Sequence, residues 1–456
     1  MIGWRSHRSA GRVRHGLRLL ALACSYFVAA TCGSLPAGVG GTITGLGLPA
    51  GLALAALAIF GRSLWPGVAL GAALAFWAQG VTFAGALMAA AGSTLGALLP
   101  AVLMGMGRSG AEPPGVHLRD LGLLLLGSVL GPSVAVSFEL LAMTLGLVPG
   151  LAPQPSVWLA GWMSQALGVI TFVPFLVLAV RPPLTQACRL AEALAWCGLL
   201  ALWSLQVFAH WPLPGAAPFG AGSLFPLVTV ISLRCGPRTV AFSLMMVVVI
   251  DWFCAWQGWG YFGTDLAATG LRRLWFYNVA LVLTGLALSI VATERRRAEG
   301  ALRQAARIVE SMQEGVMVTD GAGRILAVNP AFSEITGYGA AEVIGRQRGL
   351  IDAPPESVLA ERDEALATAG RWQGEIWSRR KNGESYPLWQ RISALRADDR
   401  STINQVAVFS DISSLKVSRE ELEYLAHHDV LTDLPNRLLF RDRLDHAIQR
   451  AQRSSA

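Results

Sequence analysis

Two acidic side chains lie well inside apolar stretches that are about long enough to cross a membrane, away from the ends of those stretches, and this marks them as candidates for chemistry. Glu139 lies in the stretch 120–148, and Asp251 lies in the stretch 239–257. A carboxyl group is costly to place in hydrocarbon, so such an acid contacts a ligand or locks two helices together. Gln165, in the stretch 156–180, is a candidate partner for such an acid or a ligand contact itself. No other residue in the sequence indicates which ligand would bind, so both interpretations of the acids stay open.

Cysteine and histidine, the usual ligands of zinc and haem, are not arranged for either group. All six cysteines precede residue 255, and no two of them form a C-x-x-C pair. The sequence therefore predicts no zinc site and no haem-attachment motif. Residues 303–413 contain neither histidine nor cysteine, which argues against a haem held by histidine in that segment.

These candidates belong to a chain with two contrasting parts. Residues 1–300 contain 25 charged residues, about 8%, whereas residues 301–456 contain 42, about 27%. A soluble domain has about a quarter, so a single soluble globule is excluded, and a membrane region is followed by a water-facing one. The net charge of +7 divides into +9 and −2. The basic excess therefore belongs to membrane-flanking loops, and no basic patch supports nucleic-acid binding.

Ten apolar stretches between residues 17 and 293 are each near the length that a membrane-spanning helix needs. They are 17–34, 45–60, 64–80, 81–106, 120–148, 156–180, 190–211, 221–234, 239–257 and 274–293. If the arginine-rich N-terminus is cytoplasmic, ten spans place the other loop arginines inside, except Arg272 and Arg273. We predict a polytopic all-α membrane bundle of about ten spans with both termini cytoplasmic, and two short stretches leave eight spans as the alternative.

Three of these regions carry a family resemblance: 48–78 (LPAGLALAALAIFGRSLWPGVALGAALAFWA), 158–174 (WLAGWMSQALGVITFVP) and 225–262 (FPLVTVISLRCGPRTVAFSLMMVVVIDWFCAWQGWGYF). They resemble the first of the bacterial membrane-associated sensor (MASE-type) families over most of 17–293. The resemblance implies a multi-pass protein of the bacterial inner membrane that responds to an unknown small-molecule signal. The family often has an acid after the tryptophan of the sixth span. Here the run is Trp162-Met163-Ser164-Gln165, so no ligand assignment is carried over.

The water-facing part begins with a compact α+β pattern. Strands are predicted at Gly315–Asp320, Ile325–Val328, Trp372–Arg379, Ser385–Leu395 and Asn404–Ser410, with helices after Asn329-Pro330 and at Pro354–Thr368. The runs GVMVTDGAGRILAVNPAFSEITGYGAAEVIGR (315–346), WQGEIWSRRKNGESYPLWQRISA (372–394) and VAVFSDIS (406–413) closely resemble a PAS domain. That resemblance implies a sheet and helices around an interior that holds a ligand in some members.

Four residues are candidates for a ligand in this domain. Trp372, Trp377 and Trp389 are placed to stack on the isoalloxazine ring of FAD, although core and dimer-face packing is the interpretation we favour. Asn329 is a candidate ligand contact that helix capping already explains. The absence of cysteine excludes the thiol photochemistry of related light-sensing domains, so a flavin, a small apolar ligand and an empty interior remain.

Two short helices are predicted on either side of the PAS segment, at 294–312 and 414–428. Their apolar residues follow heptad-like spacing: Leu302, Ala305, Val309 and Met312 in the first, Leu415 and Leu422 in the second. This spacing is typical of helices that pair with a second copy, and a solvated amphipathic helix is the alternative. We expect a homodimer formed through these coupling helices.

The run HHDVLTDLPNR (427–437) resembles the opening of a GGDEF diguanylate cyclase domain. The resemblance implies that Asp429, Asp433, Asn436 and Arg437 shape a coupling turn and do not contact GTP. A phosphoacceptor box of the form H-E-x-R-T-P is not matched at His428. No GG(D/E)EF run occurs in the chain, so we expect a truncated α/β GGDEF domain with no catalytic residue of its own. GTP and Mg²⁺ would then bind only in a complete protein, and an EAL phosphodiesterase domain beyond it is left open.

The sequence thus predicts five segments: a membrane sensor (1–293), a coupling helix (294–312), a PAS domain (313–413), a second coupling helix (414–428) and the start of a GGDEF domain (429–456). The predicted function is an inner-membrane sensor that regulates cyclic di-GMP signalling. Two alternatives remain from sequence: a transporter with a regulatory PAS tail, and a membrane anchor with a non-functional output.

Overall fold

A computed structural model describes most of the chain. It covers residues 3–33, 45–103, 105, 118–149, 153–180, 190–209, 220–259, 262, 271–350, 356–396, 402–429, 433–439 and 441. The chain divides into two compact units, Met1–Ala298 and Glu299–Ala456.

Each of the ten predicted apolar stretches contains one helix. These are α1 (Gly3–Gly33), α2 (Leu48–Phe60), α3 (Trp65–Ala78), α4 (Phe83–Leu103), α5 (Leu118–Thr144), α6 (Pro155–Val180), α7 (Leu190–Phe208), α8 (Leu224–Arg234), α9 (Pro237–Trp256) and α10 (Leu271–Ser311). Seven of the described helices are long and apolar enough to cross a membrane. Helices α2, α3 and α8 have 13, 14 and 11 residues, fewer than the usual span of about 20, so the count of ten spans stays a prediction.

Helix α6 lies at the centre of the first unit. It contributes Val169 and Val173 to a core formed with α1–α5, and Leu167 and Ile170 to a second core formed with α7–α10. The sequence accounts for this position, because α6 is apolar around its circumference and such a helix is buried on all sides. Any rearrangement of α6 would therefore change the packing of both cores.

Helices α4 and α5 approach closely where two glycines face each other. A Cβ added to Gly96 would lie 2.6 Å from the carbonyl oxygen of Gly131, and one added to Gly131 would lie 2.5 Å from that of Gly96. Only residues without a side chain allow this distance. Membrane helices commonly approach closely through such small residues.

The second unit contains a five-stranded antiparallel sheet of strand order β2-β1-β5-β4-β3. The strands are β1 (Gly315–Asp320), β2 (Ile325–Val328), β3 (Arg371–Arg379), β4 (Ser385–Arg396) and β5 (Thr402–Asp411). All five predicted strands are confirmed, with ends that agree within two residues. Helices α11 (Pro330–Thr336), α12 (Ala340–Val343) and α13 (Glu356–Thr368) come between β2 and β3, and α14 (Ser413–His427) follows β5.

The core of this unit lies between one face of the sheet and the short helices. Its members include Phe332, Tyr386 and Phe409, each almost completely buried. Strand residues alternate between the two faces of a sheet, so Ile376 and Leu388 point into the core while their chain neighbours Trp377 and Trp389 point away.

The predicted coupling helices have the following form. The first is the final part of α10, which continues without a break to Ser311, and the second is α14. The leucines assigned to pairing are exposed within the described chain, Leu302 by 72% and both Leu415 and Leu422 by 67%. Most of the predicted start of a GGDEF domain (429–456) lies outside the described residues.

Candidate signal-binding cavity and coupling contacts

A cavity of about 150 Å³ lies among helices α1–α6. Small residues build most of its wall, including Gly45, Gly47, Gly96 and Gly131. Because these residues have little or no side chain, the helices enclose a space that larger residues would fill. The polar side chains that line the cavity are Tyr26, Gln79, Ser93, Glu139, Ser164 and Gln165.

Two of the sequence-predicted residues meet in this cavity. The side-chain Nε2 of Gln165, on α6, donates a hydrogen bond to Oε1 of Glu139, on α5, at 3.1 Å. Next to Gln165, the hydroxyl of Ser164 donates to the carbonyl oxygen of Gly45, in the segment before α2. The cavity therefore joins α5, α6 and the start of α2 through polar contacts, and Gln165 is the partner of the acid.

Asp251 lies in a different environment. Its Oδ2 accepts a hydrogen bond from Nδ2 of Asn278 at 2.5 Å, and the same nitrogen donates to the carbonyl oxygen of Leu274 at 3.0 Å. Both side chains are at least 99% buried. This contact links α9 to α10, as expected of a carboxyl that locks two helices together, and Asp251 does not line the cavity.

An aromatic cluster connects the cavity helix to α10, and the sequence analysis did not find it. The rings of Trp162 on α6 and Trp275 on α10 lie 5.6 Å apart, and Trp158 stacks on Trp162 at 6.4 Å. The indole nitrogen of Trp162 donates to Oγ of Ser133 on α5 at 3.1 Å. Trp162 lies one helical turn from Gln165, so one turn of α6 contacts both the cavity and α10. The only available sequence signal was the spacing of the tryptophans within α6.

The three PAS tryptophans do not lie together. Trp372 is buried on the inner face of the sheet, whereas Trp377 and Trp389 are 57% and 42% exposed on the outer face. The side-chain amine of Lys416 lies 5.4 Å from the ring centre of Trp377. Placement of all three rings around one ligand is therefore incorrect, because alternation along β3 puts positions 372 and 377 on opposite faces.

Both polar atoms of the Asn329 side chain form hydrogen bonds within the protein. Its Oδ1 accepts from the backbone N–H groups of Val316 (2.8 Å) and Phe332 (2.9 Å), and its Nδ2 donates to the carbonyl oxygens of Val309 (3.1 Å) and Glu314 (2.9 Å). The predicted helix cap is confirmed. The other bonds tie the end of α10 to β1, and no polar atom of this side chain is left for a ligand.

A cationic side chain fixes the junction between the sheet and α14. Arg380 forms an ion pair with Asp411, and its guanidinium lies 4.1 Å from the ring centre of Tyr386. Asp411 also accepts from the backbone N–H of Ser413 at 2.8 Å. Burial alone would raise the pKa of Asp411, but the hydrogen bonds from Ser413 and Arg380 outweigh it and hold the pKa below its usual value.

The described residues after α14 are joined to it by hydrogen bonds. Asp433 has a left-handed backbone (φ 59°), and its Oδ1 accepts from the hydroxyl of Tyr424 at 2.5 Å. This hydrogen bond raises the pKa of Tyr424, because deprotonation would remove the donor and place two negative charges together. Asn436 donates to the carbonyl oxygen of Ala426 at 2.7 Å and caps the backbone of Leu438.

The other two residues assigned to this turn lie at its edges. The backbone N–H of Asp429 donates to the carbonyl oxygen of Leu434 at 2.8 Å. Arg437 is exposed at the start of the next helical segment.

Comparison with known families accounts for the membrane unit. The MASE1 family model matches residues 17–296, more than half of the chain. The chain belongs to the MASE1 family. Residues 313–414 match a PAS domain model. This MASE1 protein is thus a membrane protein with a sensor-type membrane unit followed by a PAS domain, which supports a role in signal transduction.

Several relatives of this MASE1 chain are named for an activity. It is 25% identical to the cyclic di-GMP phosphodiesterase PdeR of Escherichia coli K12 (32% of this chain, 23% of that protein) and 25% identical to the probable diguanylate cyclase DgcE of the same organism (31% and 13%). It is 31% identical to a blue-light-activated histidine kinase of Rhizobium johnstonii (29% and 39%). The chain spans about a quarter of the length of the first curated relatives it matches.

Among solved structures, the chain is similar to the PAS domain of a protein from Colwellia psychrerythraea. The identity is 22%, and the match covers 25% of this chain and 98% of that one, with a TM-score of 0.24.

Proposed function

We propose that this protein is an inner-membrane sensor whose membrane unit and PAS domain regulate a cyclic di-GMP enzyme. The observation that carries the proposal is the run 427–437, whose sequence resembles the start of a GGDEF domain and which continues from the PAS segment and the end of α14. In its described part, Asn436 donates to the carbonyl oxygen of Ala426. Relatives named for cyclic di-GMP synthesis and breakdown support the same output. The resemblance of this run to the opening of a GGDEF diguanylate cyclase domain favours synthesis.

The proposed signal route starts at the cavity. A ligand that contacts Gln165 displaces α6, and Trp162 passes the displacement to Trp275 on α10. Helix α10 leads to the PAS domain, where Asn329 holds its last turn through the carbonyl of Val309. Such a route requires only that the ligand favours one of two arrangements that already exist.

The proposed orientation places both termini in the cytoplasm. The lining residues of the cavity then lie toward the periplasmic ends of their helices, since Gln79 follows the end of α3 and Glu139 lies in the last turns of α5. A periplasmic molecule would reach them without crossing the bilayer. Reporter fusions after residues 149 and 429 test this orientation, and enzymatic activity of a periplasm-dependent reporter at 429 would refute it.

Synthesis is tested with membranes from cells that express the complete reading frame to which this chain belongs. After addition of GTP and Mg²⁺, we expect cyclic di-GMP to accumulate, as measured by mass spectrometry. A Trp162→Ala variant should change the rate, whereas Trp65→Ala, which removes an exposed tryptophan of α3, should not. Membranes that neither make nor degrade cyclic di-GMP would refute the proposed output.

Dimerisation through the coupling helices is part of the proposal. Leu415 and Leu422 lie seven residues apart on α14, and both are largely exposed in the single chain, as expected for residues covered by a second copy. A double Leu→Asp variant should lower the dimer fraction in analytical ultracentrifugation. An unchanged fraction would count against pairing, and the exposed Glu420→Gln serves as the control.

A ligand with a polar edge, such as the flavin of FAD, is proposed for the PAS interior. Thr319, Trp372 and Gln390 each have a buried polar atom without a hydrogen-bond partner within the described chain, and these atoms would hold that edge. A flavin would supply light absorption or redox chemistry when bound. Purified protein with no visible flavin absorption, and none after incubation with FAD, would refute this assignment.

A further inference from the structure

The membrane cavity has one acidic corner in an otherwise neutral wall. Among the described residues that line it, Glu139 is the only acidic one, and none is Lys, Arg or His. Within the described part of the chain, Gln165 donates a side-chain hydrogen bond to Glu139. A carboxylate among apolar helices is expensive without a cation, so the cavity suits a ligand that brings a positive charge.

Three further features favour a cation. The rings of Tyr26 and Phe76 line the same space, and aromatic faces attract cations. The amide nitrogen of Gln165 is turned to Glu139, which leaves its oxygen as an acceptor. Away from Glu139 the wall consists largely of apolar residues such as Leu54, Ala97 and Val169, which suits an alkyl group.

The volume limits the size of the ligand. A cavity of about 150 Å³ is comparable to one that holds benzene, which has about six non-hydrogen atoms. We propose that the cavity binds a small organic cation, a primary alkylammonium of this size, with its charged group on Glu139. The inference rests on the proposed function only in taking this cavity as the signal site.

The test measures binding to the full-length chain in lipid nanodiscs. Butylammonium chloride is titrated against 1-butanol in sodium chloride of equal ionic strength, with thermal unfolding and calorimetry as readouts. We expect saturable binding of butylammonium and no comparable binding of butanol. Glu139→Gln should weaken butylammonium binding at least tenfold, whereas Glu192→Gln, the same change on a partly exposed glutamate of α7, should not.

Three results would overturn the proposal: no saturable binding of butylammonium, equal binding of butanol, or equal binding by Glu139→Gln. If Glu139→Gln does not fold, alkylammonium ions of one to eight carbons are compared on the wild-type protein. Affinity that peaks near four carbons supports a bounded site. Affinity that rises steadily with length indicates partition into lipid and rejects the site.

Different results would reject the proposed binding site and the proposed signalling output. Saturable binding of butylammonium without any change in cyclic di-GMP turnover would leave the site intact and reject its role as the signal site. A turnover response to butylammonium that persists in Glu139→Gln would reject the site and leave the proposed output intact.

Discussion

Replacement of Asn329 by alanine should strongly destabilise the PAS domain and free the end of α10. The substitution removes four hydrogen bonds, and the side chain is only 4% exposed. A buried polar group left without a partner costs about 1–3 kcal/mol, and loss of a helix cap costs about 1 kcal/mol. The N–H groups of Val316 and Phe332 are buried, whereas water can reach the two carbonyls in part. We therefore expect a loss of about 2–4 kcal/mol in the free energy of unfolding.

Urea unfolding of a fragment covering residues 299–429 measures this loss, since the fragment contains the whole sheet and its own hydrophobic core. Asn382→Ala is the matched control, because this exposed amide accepts one hydrogen bond from Glu384 in a hairpin turn. It should cost less than about 0.5 kcal/mol.

Asn329→Asp separates the two roles of the side chain. It keeps both acceptor bonds, but it puts a carboxylate oxygen in place of the donor Nδ2, against the carbonyl oxygens of Val309 and Glu314. Because this repulsion adds to the loss of both donated bonds, the substitution should cost at least as much as alanine at neutral pH, about 2–4 kcal/mol, and speed amide exchange at the end of α10. Equal stability of Asn329→Ala and Asn382→Ala would refute the reasoning.

Three other predictions follow from named contacts. The lowered pKa of Asp411 means that its contribution to stability is present above about pH 4 and lost as the pH falls below that value, so Asp411→Asn should flatten the dependence of urea unfolding on pH between 5 and 3. The raised pKa of Tyr424 means that its contribution is present below about pH 10 and lost above, so Tyr424→Phe should speed amide exchange in the turn at neutral pH, where the wild-type hydroxyl still donates to Asp433. Gly131→Leu should destabilise the membrane unit by about 1–3 kcal/mol in detergent melts, whereas Gly122→Leu on the same helix, where an added Cβ meets open space, should not.

The PAS segment was largely predictable because its signals are local. Alternating apolar residues mark the strands, and Asn329-Pro330 combines a cap with a residue that fits only the first helical turn. Gly383, with a positive φ of 92°, lies in the turn between the predicted strands Trp372–Arg379 and Ser385–Leu395. The same alternation places Trp377 on the face opposite Trp372, which agrees with the favoured interpretation of these tryptophans as core and outer-face residues.

The helices of the membrane unit could be predicted from the sequence, whereas the cavity and its contacts could not. Apolar length alone identified ten helical stretches, and the cost of burying charge singled out Glu139 and Asp251. Periodicity gives no partner for either acid, because the pattern of one helix indicates which of its faces is apolar but not which residues of other helices it contacts. Only packing assigns Gln165 to the first acid and Asn278 to the second.

The sequence by itself determined the class of this protein: a hydrophobic MASE1 bundle, a PAS sheet and a capped turn, each written in composition, spacing or a short motif. Tertiary structure alone decided that Glu139 lines a cavity while Asp251 closes a helix contact, and that Trp162 meets Trp275. Local patterns constrain the backbone within a few residues, whereas a cavity forms where helices distant in sequence fail to fill the space between them.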